Sequence, residues 1–266
     1  MFGDTIGKNA FYLRYSRHIT DYDANPDLMI SVDTDQGLTP GYSPGIFIDE
    51  SGEDVHITSG SMRYSFCSRT NMGSLMISDN EPRMVDSLEN ALRIVFQWLA
   101  ITRGCVIVHA ACIGTETECI LLPAPESGGK STIASLCRKQ GGWVYGDDLV
   151  MIGGTDGDES APLVYGLPFR GEEEFMAFPP EPAVLKEVLF PEKGKGCSVR
   201  HMNGAEAVAR LISNIPYTRA IPRHIYVNLL SCAERIISRG AGLFAYDLES
   251  DPAATLVGRL TVDNEH

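Results

Sequence analysis

Residues 119 to 132 read Cys-Ile-Leu-Leu-Pro-Ala-Pro-Glu-Ser-Gly-Gly-Lys-Ser-Thr. An apolar run leads into a loop of small residues, and Lys130, Ser131 and Thr132 open a stretch of helical composition. The octet from Ala124 to Ser131 fits the pattern G-x-x-x-x-G-K-[ST], with Ala124 in place of the first glycine. Without Cβ atoms, Gly128 and Gly129 can take positive φ and turn successive N–H groups toward an anion. The helix that follows aims the positive end of its dipole at the same point. The Lys130 ammonium suits phosphate oxygens, and the hydroxyl of Ser131 or Thr132 suits the Mg²⁺ that accompanies a polyphosphate. The candidate phosphate-binding residues are therefore Glu126, Ser127, Gly128, Gly129, Lys130, Ser131 and Thr132.

A second group of side chains could act on what such a loop holds. Asp147 and Asp148 interrupt the apolar run Trp143 to Ile152. Two carboxylates inside an apolar strand are costly unless something pairs with them, and Mg²⁺ and a substrate hydroxyl would do so. His109 breaks the apolar run Cys105 to Ile113. A lone histidine there is ordinarily a satisfied core residue, so the pattern alone leaves its role open. Arg170 precedes Glu172, Glu173 and Glu174 in the segment 166 to 175. That segment reads either as a loop over the site, bringing a transition-state cation and a second metal ligand, or as a surface charge run.

The elements that must carry these residues follow from periodicity. Short apolar segments at 11–15, 28–32, 45–48, 55–58, 62–67 and 74–77, separated by Asp/Asn/Gly/Pro clusters, predict a small β-rich module of hairpins. From Val85 the period changes. Leu88, Ala91, Leu92, Val95, Trp98 and Leu99 form a helical stripe, with Asp86 or Ser87 as cap and Gly104 as terminator. This places a module boundary near residue 84, with a linking helix at 85–103. Beyond it come a strand at 105–113, a turn at 114–118, the strand into the phosphate loop, a helix at 130–139 and the interrupted strand at 143–152. A strand at 163–165, helices at 204–213 and about 223–238, and a late strand at 243–248 complete the pattern; 178–182 and 193–197 read as loops.

Composition narrows the function classes. The chain has 266 residues, 44% hydrophobic and 21% charged, ordinary values for a globular protein with a substantial core. A net charge of −13 argues against wrapping nucleic acid or lying on an anionic membrane, which both need basic surface. Seven cysteines form no C-x-x-C pair. Cys105, Cys112 and Cys119 fall in apolar runs where a reduced thiol acts as a small hydrophobe. With no leader-like start and no apolar run of about 18 residues, the expectation is a cytoplasmic protein.

Taken together, Val108-His109-Ala110-Ala111, the loop from Pro123 to Thr132 and Val144-Tyr-Gly-Asp-Asp148 resemble the kinase domain of HPr kinase/phosphorylase and of the smaller HPr-kinase-like peptide and protein kinases. His109 precedes Lys130, and Asp147 follows it, at intervals that suit that family. The resemblance spans roughly residues 104 to 153. It implies an α/β fold of the phosphoenolpyruvate-carboxykinase-like P-loop type, a mixed sheet with flanking helices over residues 85–266, preceded by the β-rich module 1–84. It also implies ATP and Mg²⁺ as cofactors, Asp147 as catalytic base, and Ser131 and Asp148 as metal ligands. His109 would help place the phosphates or the base, beside Lys130 and Arg170 as catalytic groups. The family's Glu-Ile-Arg-Gly motif is represented by Pro168-Phe169-Arg170-Gly171, which keeps the arginine and loses the glutamate. The acceptor implied is a Ser/Thr hydroxyl of a peptide or protein. A small-molecule kinase with the same site, or a nucleotide-binding regulator without transfer, is the alternative. Nucleic acid and membrane are not expected partners, and homo-oligomerisation is left open.

Overall fold

The computed structural model describes residues 29–38, 47–51, 54–59, 62–67, 70, 72–78, 84–154, 161–167, 169, 181–218 and 225–261. The chain divides into two compact units, Met1–Val95 and Phe96–His266.

In the first unit, β1 (Met29–Asp35), β2 (Phe47–Ser51), β3 (Asp54–Ser59), β4 (Met62–Cys67) and β5 (Met72–Ser78) form one sheet in the order β1-β5-β4-β3-β2. Strands β2 to β5 make the expected antiparallel hairpins. The first strand departs from that expectation, since β1 runs parallel to its neighbour β5, a pairing that no hairpin turn can make. Period-two alternation puts Met62, Tyr64 and Phe66 of β4 in the interior, with Leu75 and Ile77 of β5. The segment 11–15 lies outside the described residues.

Helix α1 (Met84–Thr102) contains the division between the units, which falls at Val95–Phe96. Asp86 and Ser87 already lie within it, so neither is its cap. Asp86 sits in the first turn, where a carboxylate complements the helix dipole. At the other end Gly104 takes φ 70°, and its N–H donates to the Ile101 carbonyl. Gln97 is buried, and its Oε1 accepts from the N–H of Ile107 at 3.0 Å, fixing the following strand to the helix.

The second unit contains β6 (Cys105–Gly114), β7 (Glu118–Pro123), α2 (Lys130–Lys139), β8 (Trp143–Gly146), β9 (Leu149–Gly153), β10 (Leu163–Gly166), β11 (Ala183–Lys193), β12 (Ser198–His201), α3 (Gly204–Ser213), α4 (Tyr226–Ile237), β13 (Ala241–Tyr246) and α5 (Pro252–Thr261). Its sheet is mixed, ordered β10-β9-β6-β7-β11-β13-β12, with β8 also on β6. Strands β7, β11 and β13 are parallel. The central strands read as continuous apolar runs because both faces are covered. Val106, Val108, Ala110 and Cys112 enter one core, with residues of α3 and α4, while Ala111 and Ile113 enter the other. That second core includes Ile133, Ala134 and Cys137 of α2 and Ala253, Leu256 and Leu260 of α5. The unit is thus a three-layer α/β structure, and α2 to α5, with the last part of α1, are its helices among the described residues. Three of these elements, β11, β12 and α5, are absent from the sequence expectation.

All seven cysteines are free thiols. Cys112 and Cys119 are buried as expected, and burial pushes the Cys112 thiol well above its ordinary value. Cys105 corrects the expectation: it stands at the start of β6 and is only half-buried. No helix among the described residues is long and apolar enough to cross a membrane.

Candidate functional site

The candidate phosphate loop, residues 124–129, occupies the gap between β7 and α2. Ala124 is buried under it, and Gly128 N–H donates to the Pro125 carbonyl at 3.1 Å. Positive φ occurs at Gly129 (87°) and at Ser127 (63°). Gly128, expected to share that role, is required for a different reason. A Cβ on it would lie 2.6 Å from the Cβ of Ala124. The methyl group of Ala124 therefore fills space that only a glycine at 128 leaves open, and this is how the loop accommodates alanine at the first pattern position.

Gly129 is constrained twice. Its backbone is left-handed, and an added Cβ would fall 1.8 Å from Tyr246 Oη. Tyr246 is buried, stacks on Phe244 with ring centroids 5.8 Å apart, and donates its hydroxyl to the Gly128 carbonyl at 3.3 Å. Burial raises its phenol pKa, so it remains a donor. The loop is clamped from outside as well as within.

Lys130, the first residue of α2, is buried, with Nζ donating to the carbonyls of Ala124 (2.7 Å) and Pro125 (2.8 Å). The ammonium is thereby held at the loop it would serve. The helix carries no side-chain cap, so its first N–H groups face the loop mouth. Residues 127–132 line one side of a cleft of about 720 Å³; residues 193–195 and 246–249 line the other. Glu126 is exposed and lies outside that lining.

The acidic pair is placed by sheet register. Strands β8 and β9 both run antiparallel to β6, Cys112 opposing Gly146 and His109 opposing Leu149. Asp147 and Asp148 are the kink between them. Ala110 N–H donates to the Asp148 carbonyl at 3.0 Å, and Ala110 faces Pro123, the last residue of β7, on its other side. The carboxylates thus lie across β6 from the root of the phosphate loop. Asp147 is 4% exposed, with Oδ2 fully buried. His109 Nε2 meets Asp148 Oδ1 at 3.0 Å, so the histidine of β6 belongs to this acidic kink rather than to the apolar core.

His109, Asp147 and Asp148 do not line the cleft beside α2, which opens on the other side of β7. The candidate residues therefore form two adjoining groups, the glycine loop with Lys130 and an acidic kink. Arg170 and Glu172 to Glu174 lie outside the described residues. Their neighbour Phe169 is buried edge-on against Phe96, with centroids 5.6 Å apart.

Sequence reasoning missed the far wall of the cleft. Lys193, Lys195, Tyr246 and Asp247 belong to the ends of β11 and β13, and β11 had not been recognised as a strand. Asp247 ties these ends together, accepting from Gly196 N–H at 2.5 Å and Ser250 N–H at 2.7 Å. The Ser250 hydroxyl first, and then these amides, hold its carboxyl below the usual aspartate value. No family model and no curated protein matches this chain.

Proposed function

We propose that this protein is an HPr-kinase-like, ATP- and Mg²⁺-dependent kinase with a phosphoenolpyruvate-carboxykinase-type P-loop domain, transferring the γ-phosphate to a Ser or Thr hydroxyl of a peptide or protein. The observation that carries the proposal is the buried Asp147 beside the His109–Asp148 pair, one strand away from a glycine loop with a buried lysine. A protein that only holds nucleotide needs the loop. It has no use for a buried acid where an acceptor would arrive.

Phosphoryl transfer asks the protein mainly for positioning and charge stabilisation. Lys130 exchanges the Ala124 and Pro125 carbonyls for phosphate oxygens, and the loop N–H groups hold the β- and γ-phosphates. The acceptor oxygen bonds to the γ-phosphorus as the bridge to the β-phosphate breaks, leaving ADP, and the hydroxyl proton passes to Asp147. His109 fixes the Asp148 carboxylate. Ser131 and Asp148 offer a hydroxyl and a carboxylate, both partly accessible, the sparse oxygen set that a largely hydrated Mg²⁺ uses together with substrate phosphates. When bound, that ion neutralises charge on the transferred group.

The test is incubation with γ-labelled ATP and Mg²⁺, offering candidate peptides and cell extract, with Asp147→Asn as the paired variant. Label on a peptide or protein, reduced about 10²- to 10⁴-fold by Asp147→Asn while ATP binding persists, is the expected result. Unchanged turnover removes Asp147 from the role of base. Label confined to small molecules transfers the assignment to a metabolite kinase, and ATP binding without transfer makes the protein a nucleotide-binding regulator.

A further inference from the structure

Strands β7, β11 and β13 run parallel, so their carboxyl ends meet at one edge of the sheet. In open α/β sheets ligands bind outside the carboxyl ends of the strands. Here the three ends deliver the phosphate loop, the turn starting at Lys193 and the turn after Tyr246, and the cleft of about 720 Å³ lies among them. Lys193 stands directly beside Tyr246 in the register. Gly194 N–H donates to the Tyr246 carbonyl at 2.8 Å, and Asp247 Oδ2 accepts from Gly196 N–H, two residues on. The two turns are thus one hydrogen-bonded wall facing the loop.

That wall is chemically uneven. Lys193 and Lys195 are exposed on it, and no ion pair engages either ammonium among the described residues. Leu248, 61% exposed, presents apolar surface at the same cleft, beside Glu249. In a chain of net charge −13, a polyanion approaches against the overall field. Cations gathered at one cleft offset that locally. Two ammonium groups opposite the phosphate loop, an apolar side chain and a carboxylate acceptor are the kinds of group that the phosphates, the base and the sugar hydroxyls of a nucleotide engage.

We infer that this wall is the nucleotide side of the site. Lys193 and Lys195 contact the polyphosphate together with Lys130, and Leu248 packs on the base. The acceptor enters on the opposite side of β7, where β6 carries His109 and the acidic kink. This assignment rests on the phosphate-loop reading above and adds the direction in which the two substrates lie.

The experiment is calorimetric titration of the full chain with ATP, AMP and inorganic tripolyphosphate, each with Mg²⁺, in the wild type, Lys193→Ala/Lys195→Ala, Leu248→Asp and Lys130→Ala. Loss of one charge-assisted hydrogen bond weakens binding about tenfold. The double variant should therefore bind ATP and tripolyphosphate about 100-fold more weakly while leaving AMP near its wild-type value. Leu248→Asp should weaken ATP more than tripolyphosphate, because the added carboxylate repels both polyanions and only ATP loses the apolar contact. These exposed side chains carry no core packing, so an unchanged melting temperature accompanies both effects. ATP affinity unaltered by the double variant, yet lost in Lys130→Ala, overturns this wall while sparing the phosphate-loop reading. A wild type that binds no ATP, or binds it equally in Lys130→Ala, overturns both.

Discussion

Gly129 shows how a single position can be fixed from two directions. Its φ of 87° disfavours any side chain, and the buried Tyr246 hydroxyl occupies the volume a Cβ would need. Gly129→Ala should cost about 1–3 kcal/mol through the left-handed backbone alone. The clash with Tyr246 adds to this, so nucleotide affinity should fall as the loop reshapes. Adding Tyr246→Phe removes the clashing oxygen and keeps the buried ring, but leaves the backbone strain. In denaturant unfolding the double variant should recover only part of the lost stability. Complete recovery would show that the backbone conformation contributes nothing.

Among the secondary elements, β11 explains both the strength and the blind spot of sequence reasoning. It is the longest strand of the sheet and joins β7 to β13, yet its pattern conceals it. A register shift between Leu185 and Glu187 takes Lys186 out of the alternation. Pro191 further argues against a central strand, although it sits past the β7 pairing, where only β13 neighbours it. The helix α5 was hidden similarly, behind the Asp/Pro turn that starts it. Pro252 is its first residue, and Asp251 accepts from Ala254 N–H at 3.0 Å.

The clamp between the ends of β11 and β13 is pH-sensitive in a defined direction. Hydrogen bonds from Ser250 and Gly196 lower the Asp247 pKa from 3.8, so the folded state prefers the ionised form. Its contribution is fully present above pH 3.8 and is lost as the pH falls through the lowered folded value. Amide exchange at Gly196 and Ser250 should accelerate in that acid range. Asp247→Ala, which has no side-chain acceptor, should show fast exchange at neutral pH, with no acid transition of this origin.

The two units lend themselves to separate tasks. The α/β unit carries every described candidate residue of the loop and the acidic kink, while the five-stranded sheet of the first unit carries none of them. Deleting residues 1–83 keeps the whole of α1. If the first unit recruits a peptide acceptor, this deletion should abolish peptide labelling while ATP titrates as before. Undiminished transfer to the peptide would assign acceptor recognition to the α/β unit instead.

Local chemistry was enough to locate the glycine loop between β7 and α2, the bounds of α2, the β6–β7 hairpin and the interrupted strand around Asp147, because each is written in contiguous residues. The glycines, the lysine and the apolar runs need no distant partner to be recognised. Tertiary structure decided what depends on residues far apart in the chain. It paired His109 with Asp148, made Gly128 necessary by packing it on Ala124, and brought Lys193 and Tyr246 to the loop through parallel strand ends. Such relations arise from strand register and sheet order, which a one-dimensional pattern does not contain.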